Sequence, residues 1–174
     1  MRILFLNYEY PPLGGGAGNA TEYLLREYAK MPGVEVDLVT SSPDSERREL
    51  WLGEHICVHA LPIGKNGGNL HHQSIKDLLT YSLVAHRYAH KLLHQKEYDV
   101  IHAFFSVPCG AIAMKLGKDH KVPYIVSLRG SDVPGYSERF SFLYIFLRPI
   151  IRAIWKRAAA VVSNSIGLKE LAQE

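Results

Sequence analysis

The residues that most clearly indicate a binding site are three glycines near the N-terminus, Gly15, Gly16 and Gly18. They lie between an apolar run at residues 3–6 and a helical pattern that begins at Gly18. A glycine-rich loop in that position leaves backbone amides unpaired at the positive end of the helix dipole, where phosphate groups bind. Glycine also lets the main chain approach a ligand closely, because it carries no Cβ atom. The pattern therefore indicates a phosphate site, and the alternative is an ordinary turn.

The loop does not match the two common nucleotide-binding motifs. No Gly-Lys-Ser/Thr follows it, and Asn19 stands where the dinucleotide fingerprint requires a third glycine. Asn19 and Thr21 fall on the first helical turn, where they either cap the helix or donate to an anion, and capping is expected. The second predicted strand ends at residues 39–41 without a ribose-binding acid, which disfavours a nicotinamide-dependent oxidoreductase.

A second candidate group, Arg129, Gly130 and Asp132, directly follows a predicted strand. Arginine cannot act as a general base at neutral pH, but its planar fork binds phosphate or hydroxyl oxygens. The alternative for Arg129 is a surface salt bridge to Asp132 or Glu138. Asp132 either binds an acceptor hydroxyl or caps the turn before Pro134.

Three histidines, His86, His90 and His94, repeat every fourth residue on one predicted helix. This spacing can bind zinc, but the sequence shows no evident third ligand and no His-Glu-x-x-His motif, so no metal is expected. The predicted buried face of the helix consists of Ile75, Leu79 and Leu93. His86 falls near the centre of this face, which predicts a buried, hydrogen-bonded imidazole, whereas His94 faces solvent. His102 lies inside a predicted strand and is expected to pack in the core.

Strand and helix patterns alternate along the chain. The predicted strands are Arg2–Asn7, Val34–Thr40, Ile56–Pro62, Val100–Phe104, Tyr124–Leu128 and Ala160–Asn164. The predicted helices are Gly18–Met31, Ser74–His94, Pro108–Asp119 and Phe140–Lys156, with another after Ser165. The stretches at residues 41–54 and 64–73 are predicted to be loops. This alternation predicts an α/β fold, a Rossmann-like doubly wound, mainly parallel sheet with helices on both faces.

In such sheets ligands bind beyond the carboxyl ends of the strands. The loops after the first, fourth and fifth predicted strands are therefore expected to line one crevice. These loops are Tyr8–Gly18, Phe105–Pro108 and Arg129–Tyr136.

The bulk properties describe one globular domain, because 174 residues with 47% hydrophobic and 21% charged side chains can bury a substantial core. The formal charge of +3 is too small to indicate a nucleic acid partner. Cys57 and Cys109 lie in apolar surroundings and are expected to be reduced thiols, which favours a cytoplasmic location. No apolar run is long enough for a signal peptide or a membrane span.

The last complete helix pattern, Phe140–Lys156, combines a broad apolar surface with a basic stripe of Arg148, Arg152 and Lys156. Such a helix either lies on an anionic membrane, here the inner face, or packs on the sheet with its stripe in water. Packing is expected, because so broad an apolar surface is not left bare in a domain of this size.

Five motifs in order resemble the N-terminal half of a family 4 (group 1) retaining glycosyltransferase with the GT-B fold. They occupy residues 11–18, 33–40, 98–103, 123–132 and 158–165. Two positions depart from the family pattern, since Val34 and Arg129 each replace a histidine. The family histidine at the second of these positions helps to hold the donor sugar, and a fixed positive charge is expected to replace it here.

The resemblance implies transfer of a sugar from a nucleotide-diphosphate sugar to a hydroxyl of a saccharide or lipid-linked acceptor, without cofactor or metal. It implies that residues 1–174 are a single acceptor-side domain whose partner, the C-terminal nucleotide-sugar-binding domain, is absent from the sequence. The implied donor-binding residues are Gly15, Gly16, Gly18, Asn19, Arg129 and Gly130, and the implied catalytic pair is Arg129 and Asp132. The alternative is a non-catalytic carbohydrate- or nucleotide-binding module.

Overall fold

A computed structural model of the chain describes residues 1–68, 70–133, 135 and 141–173. The strands are β1 Arg2–Leu6, β2 Glu35–Ser41, β3 Arg48–Leu52, β4 Ile56–Leu61, β5 Val100–Phe104, β6 Tyr124–Leu128 and β7 Ala160–Ser163. The helices are α1 Gly16–Tyr28, α2 Ile75–Gln95, α3 Ala111–His120, α4 Ser141–Arg157 and α5 Ile166–Gln173. A wide helical turn, Ser106–Gly110, precedes α3. Four residues that entered the sequence predictions lie outside the described residues, namely Pro134, Tyr136, Glu138 and Phe140.

The seven strands form one sheet in the order β3-β4-β2-β1-β5-β6-β7. All neighbouring strands are parallel except β3, which runs antiparallel to β4. The central strand β1 is apolar without alternation, and residues 3–6 are at most 3% exposed. Burial on both faces requires cover from both sides, as in doubly wound folds. The predicted Rossmann-like fold is therefore confirmed.

The strand β3 is an element that the sequence predictions missed, because residues 41–54 were expected to form a loop. Its burial pattern explains the error, since four of its five residues are exposed and only Leu52 is partly buried. A strand without a buried face has no alternating hydrophobic signal. β3 forms because the edge of β4 offers backbone partners, with Leu50 opposite Val58 in the register.

The buried face of α2 also differs from the prediction. Ile75 and Leu79 are 55% and 63% exposed. The residues that face the core are instead Tyr81, Ala85, Ala89 and Leu92. Tyr81 donates its hydroxyl to the backbone oxygen of Val39 at 2.9 Å, and the small alanines allow the helix to lie close to the sheet. Counting only the most hydrophobic residues therefore selected the wrong face.

The helix α4 packs on the rest of the domain through one side, as expected. Ile151 and Ile154 are buried, whereas Phe146 and Ile150 remain 63% and 45% exposed. The basic residues of the stripe, Arg148, Arg152 and Lys156, are exposed. Among the helices of the described residues, none has the length and hydrophobicity to cross a bilayer.

Both cysteines are buried free thiols, which agrees with the prediction of reduced side chains. Burial raises the pKa of Cys57 to about 11 and that of Cys109 to about 12, so both are protonated at neutral pH. Neither thiol is therefore a nucleophile.

Candidate active site

Asn7 anchors the loop that joins β1 to α1. Its side-chain Nδ2 donates to Thr21 Oγ1 at 2.8 Å, and its Oδ1 accepts from the backbone N–H of Glu9 at 3.1 Å. Thr21 is fully buried and donates its hydroxyl to the backbone oxygen of Ala17 at 2.9 Å. The expectation that Thr21 or Asn19 caps the helix is wrong, because α1 begins two residues earlier than predicted, at Gly16, and its N-cap makes no side-chain hydrogen bond.

The loop glycines differ in what the surrounding structure requires of them. Gly18 is buried, and a Cβ atom at this position would lie 2.8 Å from the backbone oxygen of Leu13. Gly15 and Gly16 are exposed, and a Cβ atom on either would meet no neighbouring atom within 4 Å. Gly18 therefore serves close packing, whereas Gly15 and Gly16 leave an open approach to the amides at the start of α1.

A carboxylate of the chain lies at the start of α1. The Gly15 N–H donates to Glu9 Oε2 across 3.4 Å, and the backbone of Gly18 also hydrogen-bonds this carboxylate. Burial raises the pKa of Glu9, and the amide hydrogen bonds oppose this shift. The helix N-terminus therefore already faces an internal anion, which is the type of group that its dipole favours.

Asp132 joins the loops that follow β5 and β6. Its Oδ1 accepts from the backbone N–H groups of Arg129 at 2.9 Å and Gly130 at 3.1 Å. Its Oδ2 accepts from the backbone N–H of Ser106 at 2.8 Å and from the Ser106 hydroxyl at 3.0 Å. Trp155 Nε1 donates in turn to Ser106 Oγ at 2.8 Å. Asp132 therefore caps the turn at residues 129–132 and ties it to the loop after β5.

Arg129 is half-buried and lies over the face of Phe104, with 3.4 Å between the guanidinium carbon and the ring centroid. Burial lowers the pKa of Arg129, and the charge of Asp132 opposes this shift. An arginine nevertheless stays protonated at neutral pH. Within the described part of the chain its guanidinium forms no salt bridge, and its Nε is shielded without a hydrogen-bond partner. A guanidinium stacked on a ring in this way retains its capacity to bind an oxyanion.

Arg129 lies at one end of a row of ring contacts formed by Phe104, Phe5 and His102. The Phe5 and His102 rings stack with centroids 4.6 Å apart, and Phe104 meets the Phe5 ring edge-on at 4.8 Å. His102 Nε2 hydrogen-bonds Ser127 Oγ at 2.8 Å. Burial, and to a smaller extent the charge of Arg129, lowers the pKa of His102 to about 4. The predicted packing role of His102 is therefore confirmed, and its imidazole is neutral at physiological pH.

A cavity of about 260 Å³ opens at the carboxyl ends of β1, β5 and β6. Its lining includes residues from the three loops that were predicted to share a crevice: Tyr8, Phe105, Val107, Pro108, Ser131 and Asp132. The remaining walls come from the start of α2 and from α4, through Ile75, Leu78, Leu79, Ser82, Leu147 and Ile151. The predicted convergence of the three loops is therefore confirmed.

Phe105 holds an unusual backbone conformation at the base of this cavity. Its φ of 70° is rarely adopted by residues other than glycine, and such strain occurs most often at functional sites. Its ring stacks on Tyr8 with centroids 4.8 Å apart and an angle of 26° between the planes. The two rings give the cavity a flat aromatic wall.

The predicted site residues divide into two groups. Asp132 lines the cavity, whereas the other predicted residues are not part of its lining, namely Gly15, Gly16, Gly18, Asn19, Arg129 and Gly130. Two residues that contact the predicted site residues were not identified from the sequence. They are Glu9, which accepts from Gly15, and Ser106, which donates to Asp132. An acid shortly before a glycine-rich helix start was an available signal for Glu9. Ser106 had none, because its partners Asp132 and Trp155 are distant along the chain.

The loop at residues 64–73 is attached to the glycine-rich loop. Gly14 N–H donates to the backbone oxygen of Leu70 at 2.8 Å, and His71 Nδ1 bonds the backbone oxygen of Gly14 at 2.9 Å. Gly14 itself has a φ of +86°, a conformation that favours glycine. These bonds restrain the glycine-rich loop at Gly14.

Residues 15–174 match the family model of the glycosyl transferase 4-like domain. No curated protein matches the sequence significantly. The fold is similar to that of sucrose-phosphate synthase from Thermosynechococcus elongatus, with a TM-score of 0.77 at 16% identity over 99% of this chain and 44% of that chain.

Two further solved structures share the fold. UDP-GlcNAc 2-epimerase from Neisseria meningitidis, solved with UDP-GlcNAc bound, gives a TM-score of 0.54 at 10% identity over 99% of this chain and 42% of that chain. The alpha,alpha-trehalose 6-phosphate synthase from Burkholderia multivorans gives 0.53 at 12% identity over 99% and 41%. The chain thus spans less than half the length of these three proteins, and at such low identities the similarity establishes the fold alone.

Proposed function

Because this chain belongs to the glycosyl transferase 4-like domain family, we propose that it is the acceptor-side domain of a GT-B glycosyltransferase. The enzyme moves a sugar from a nucleotide-diphosphate sugar to an acceptor hydroxyl, with retention of configuration. The observation that carries this proposal is the meeting of three loops around one cavity at the carboxyl ends of β1, β5 and β6. The structural neighbour that was solved with UDP-GlcNAc bound supports the donor class.

The departing diphosphate is the charge that this domain helps to stabilise. The open amides of Gly15 and Gly16 face it from the start of α1, and Arg129 supplies a fixed positive charge. Arg129 takes no proton during the reaction, because a guanidinium does not titrate near neutral pH. Asp132 acts as a positioning residue, since its carboxylate holds the backbone of Arg129 and Gly130.

Glu9 competes with the diphosphate for the start of α1. Two anions cannot share the same amides without repulsion, so the Glu9 carboxylate must turn away or take up a proton when the donor binds. The raised pKa of Glu9 lowers the cost of protonation. Glu9 therefore keeps the amides oriented while the site is empty and yields them to the donor.

The walls of the cavity favour an acceptor with an apolar part, that is, a lipid-linked acceptor rather than a free saccharide. Ile75 and Leu79 line the cavity although they are largely exposed, and Leu83 extends the same apolar surface at 63% exposure. On α4, Phe146 and Ile150 add further exposed apolar area. The exposed basic stripe of α4 would bring this surface to an anionic membrane on its cytoplasmic face.

Acceptor-dependent turnover tests the proposal. The two-domain enzyme would be incubated with a panel of nucleotide-diphosphate sugars, with and without lipid-linked and free saccharide acceptors, while release of the nucleoside diphosphate is measured. We expect release to depend on the acceptor and to require one donor class. Tight binding of a nucleotide sugar without turnover on any acceptor would instead establish the non-catalytic binding module.

Vesicle flotation separately tests whether α4 brings the domain to an anionic membrane, as a lipid-linked acceptor would require. We expect the chain to float with phosphatidylglycerol vesicles and to stay behind with phosphatidylcholine vesicles. The double variant Arg148→Gln/Arg152→Gln should lose this binding, whereas Arg87→Gln/Lys118→Gln, which removes equal charge elsewhere, should keep it. Equal flotation of both variants would show that α4 does not contact the membrane.

A further inference from the structure

We propose that His90, His94 and His120 form a binding site for a divalent transition metal ion, with Zn²⁺ the ion that fits best. The three imidazole rings form a triangle, with centroids 4.6 Å apart for His90–His94, 4.8 Å for His90–His120 and 5.0 Å for His94–His120. One ring nitrogen from each lies within 4.8 Å of the other two. This arrangement supplies the third ligand that the sequence alone did not reveal.

The fold explains why the three side chains meet. His90 and His94 stand one helical turn apart on α2, so they project from the same side of the helix. His120 is the last residue of α3, which packs beside α2. His86 lies one turn further back on α2 with its ring 6.2 Å from that of His90, so it is not one of the three ligands.

The donor set matches the chemistry of zinc. Neutral imidazole nitrogens bind Zn²⁺ at about 2.0–2.1 Å, which places tetrahedral ligands about 3.4 Å apart. The ligand nitrogens, which lie within 4.8 Å of one another, need to approach by up to about 1.4 Å. His94 is exposed and can make this movement. Three protein ligands leave the fourth coordination position to water or an anion.

The local electrostatics favour a cation at this point. α2 ends at Gln95 and α3 at His120, so the negative ends of two helix dipoles converge on the site. The Nε2 atom of His120 is shielded and has no hydrogen-bond partner among the described residues.

The other charged groups around the site do not compete for the metal. Lys115 and Asp119 pair with one another at 3.0 Å. Next to His86, Lys115 and His90 lower the pKa of that imidazole, whereas Asp119 raises it. Asp119 also acts on His120, where its charge opposes the lowering of the pKa by burial. His86 also acts on His120, and its smaller effect lowers the pKa of that imidazole.

A second group of potential ligands, Asp37, Cys57 and His59, is by contrast already satisfied. The Asp37 carboxylate accepts from Lys96 Nζ at 2.9 Å and Tyr98 hydroxyl at 2.7 Å, and His59 Nε2 lies 2.8 Å from it. The raised pKa of Cys57 keeps its sulfur protonated. An ion there would have to displace Lys96, so this group is a buried ion-pair network.

The histidine site lies away from the cavity. Helices in this fold run opposite to the strands, so the ends of α2 and α3 lie at the amino edge of the sheet, whereas the start of α2 lines the cavity. A bound ion would therefore clamp α2 to α3 without touching the reaction. Metal binding should therefore stabilise the folded chain by an amount that grows with the logarithm of the metal concentration above the Kd.

Zinc titration of the 174-residue chain, prepared without a histidine tag, tests the site. We expect one saturable Zn²⁺ per chain by calorimetry at pH 7.5, with affinity that falls as the pH is lowered, because protons compete for the imidazoles. The melting temperature should rise with the zinc concentration. Co²⁺ should occupy the same site, with the visible absorption of a four-coordinate ion.

Single variants decide which side chains hold the ion. His94→Gln and His120→Gln should each weaken Zn²⁺ binding by more than the roughly 10–100-fold typical of losing an outer-shell partner. His55→Gln, which removes an exposed imidazole elsewhere, should bind as the wild type does. The metal-free melting temperature of His94→Gln should be unchanged. Absence of saturable binding, or equal affinity in the wild type and both ligand variants, would overturn the proposal.

Discussion

Arg129 is the residue whose replacement tests the proposed transfer chemistry most directly. Its guanidinium is held over Phe104 and, within the described residues, forms no salt bridge, so a role as a fixed charge predicts a large effect on catalysis. We expect Arg129→Ala to lower the transfer rate of the two-domain enzyme by about 10²–10³. Arg129→Lys should recover only part of the rate, because an ammonium does not reproduce a bidentate fork. Steady-state kinetics beside a thermal melt measure both, and full activity of a stable alanine variant would remove Arg129 from the site.

The variant Arg129→His supplies a test of the same side chain by pH. Histidine titrates near neutral pH, whereas arginine does not. The rate of the histidine variant should therefore gain a pH dependence near neutrality that the wild type lacks at this position. Profiles of kcat and kcat/KM over pH 5–9 measure the difference. Superimposable profiles would show that position 129 does not interact with the reacting groups.

Gly16 and Gly18 form a matched pair of substitutions two residues apart. Gly16→Val should abolish transfer and leave the melting temperature nearly unchanged, because its Cβ enters open space through which the donor approaches. Gly18→Ala should instead lower the melting temperature, because its Cβ meets the backbone oxygen of Leu13 at 2.8 Å. Activity assays and melts of both variants separate the two roles. Normal activity of a folded Gly16→Val protein would contradict the phosphate-loop assignment.

At the scale of the elements, Asp132 connects the loop after β6 to the loop after β5. Asp132→Ala would leave the amides of Arg129, Gly130 and Ser106 without their acceptor. We expect a loss of about 2–4 kcal/mol of unfolding free energy, since unpaired buried donors cost about 1–3 kcal/mol each and loop relaxation recovers part of it. Urea denaturation measures this. The exposed control Asp119→Asn should have a small effect, and a similarly small effect of Asp132→Ala would show that the two loops are held by other contacts.

The packing of β5 against β1 makes stability depend on pH through His102. Its folded pKa of about 4 lies below the unfolded value near 6.5, so the unfolded chain binds more protons between these values. The free energy of unfolding should therefore rise with pH through this window, by up to about 3 kcal/mol. The contribution of His102 is complete above pH 6.5.

The variant His102→Phe measures this contribution. It keeps a ring against Phe5 but removes the titration, so its stability should rise less steeply between pH 4 and 6.5. His86 and His120 also have lowered pKa values and add a slope of the same sign in both proteins, so only the difference is informative. An NMR titration of the His102 ring that shows protonation near pH 6.5 would contradict the prediction.

At the scale of the whole molecule, the described residues form a seven-stranded sheet with a continuous core. We expect the chain to fold by itself and to unfold cooperatively. The resemblance places most of the nucleotide-sugar site in a second domain, so the purified chain should not turn over any nucleotide-diphosphate sugar. Multiple turnovers by the 174-residue chain would contradict the proposed division of labour between the domains.

The sequence by itself determined the features that have local causes. The strands β1 and β5 and the crevice between the loops that follow them could be predicted, because continuous apolar runs indicate strands buried on both faces. The glycine-rich loop was recognisable because glycine carries no Cβ atom and lets the main chain approach a ligand closely. The order of these elements then left few possible topologies. The locations of Arg129 and Asp132 at the carboxyl edge of the sheet followed from that topology.

Only the tertiary structure decided what depends on partners distant along the chain. β3 pairs because β4 has a free edge, although no residue pattern marks it as a strand. His120 reaches the histidines of α2 because two helices end at the same edge of the sheet. Asp132 joins the two loops because Ser106 lies opposite it on the loop after β5. Hydrogen bonds and ring contacts of this kind depend on how whole elements pack against one another. A local pattern in the sequence therefore does not predict them.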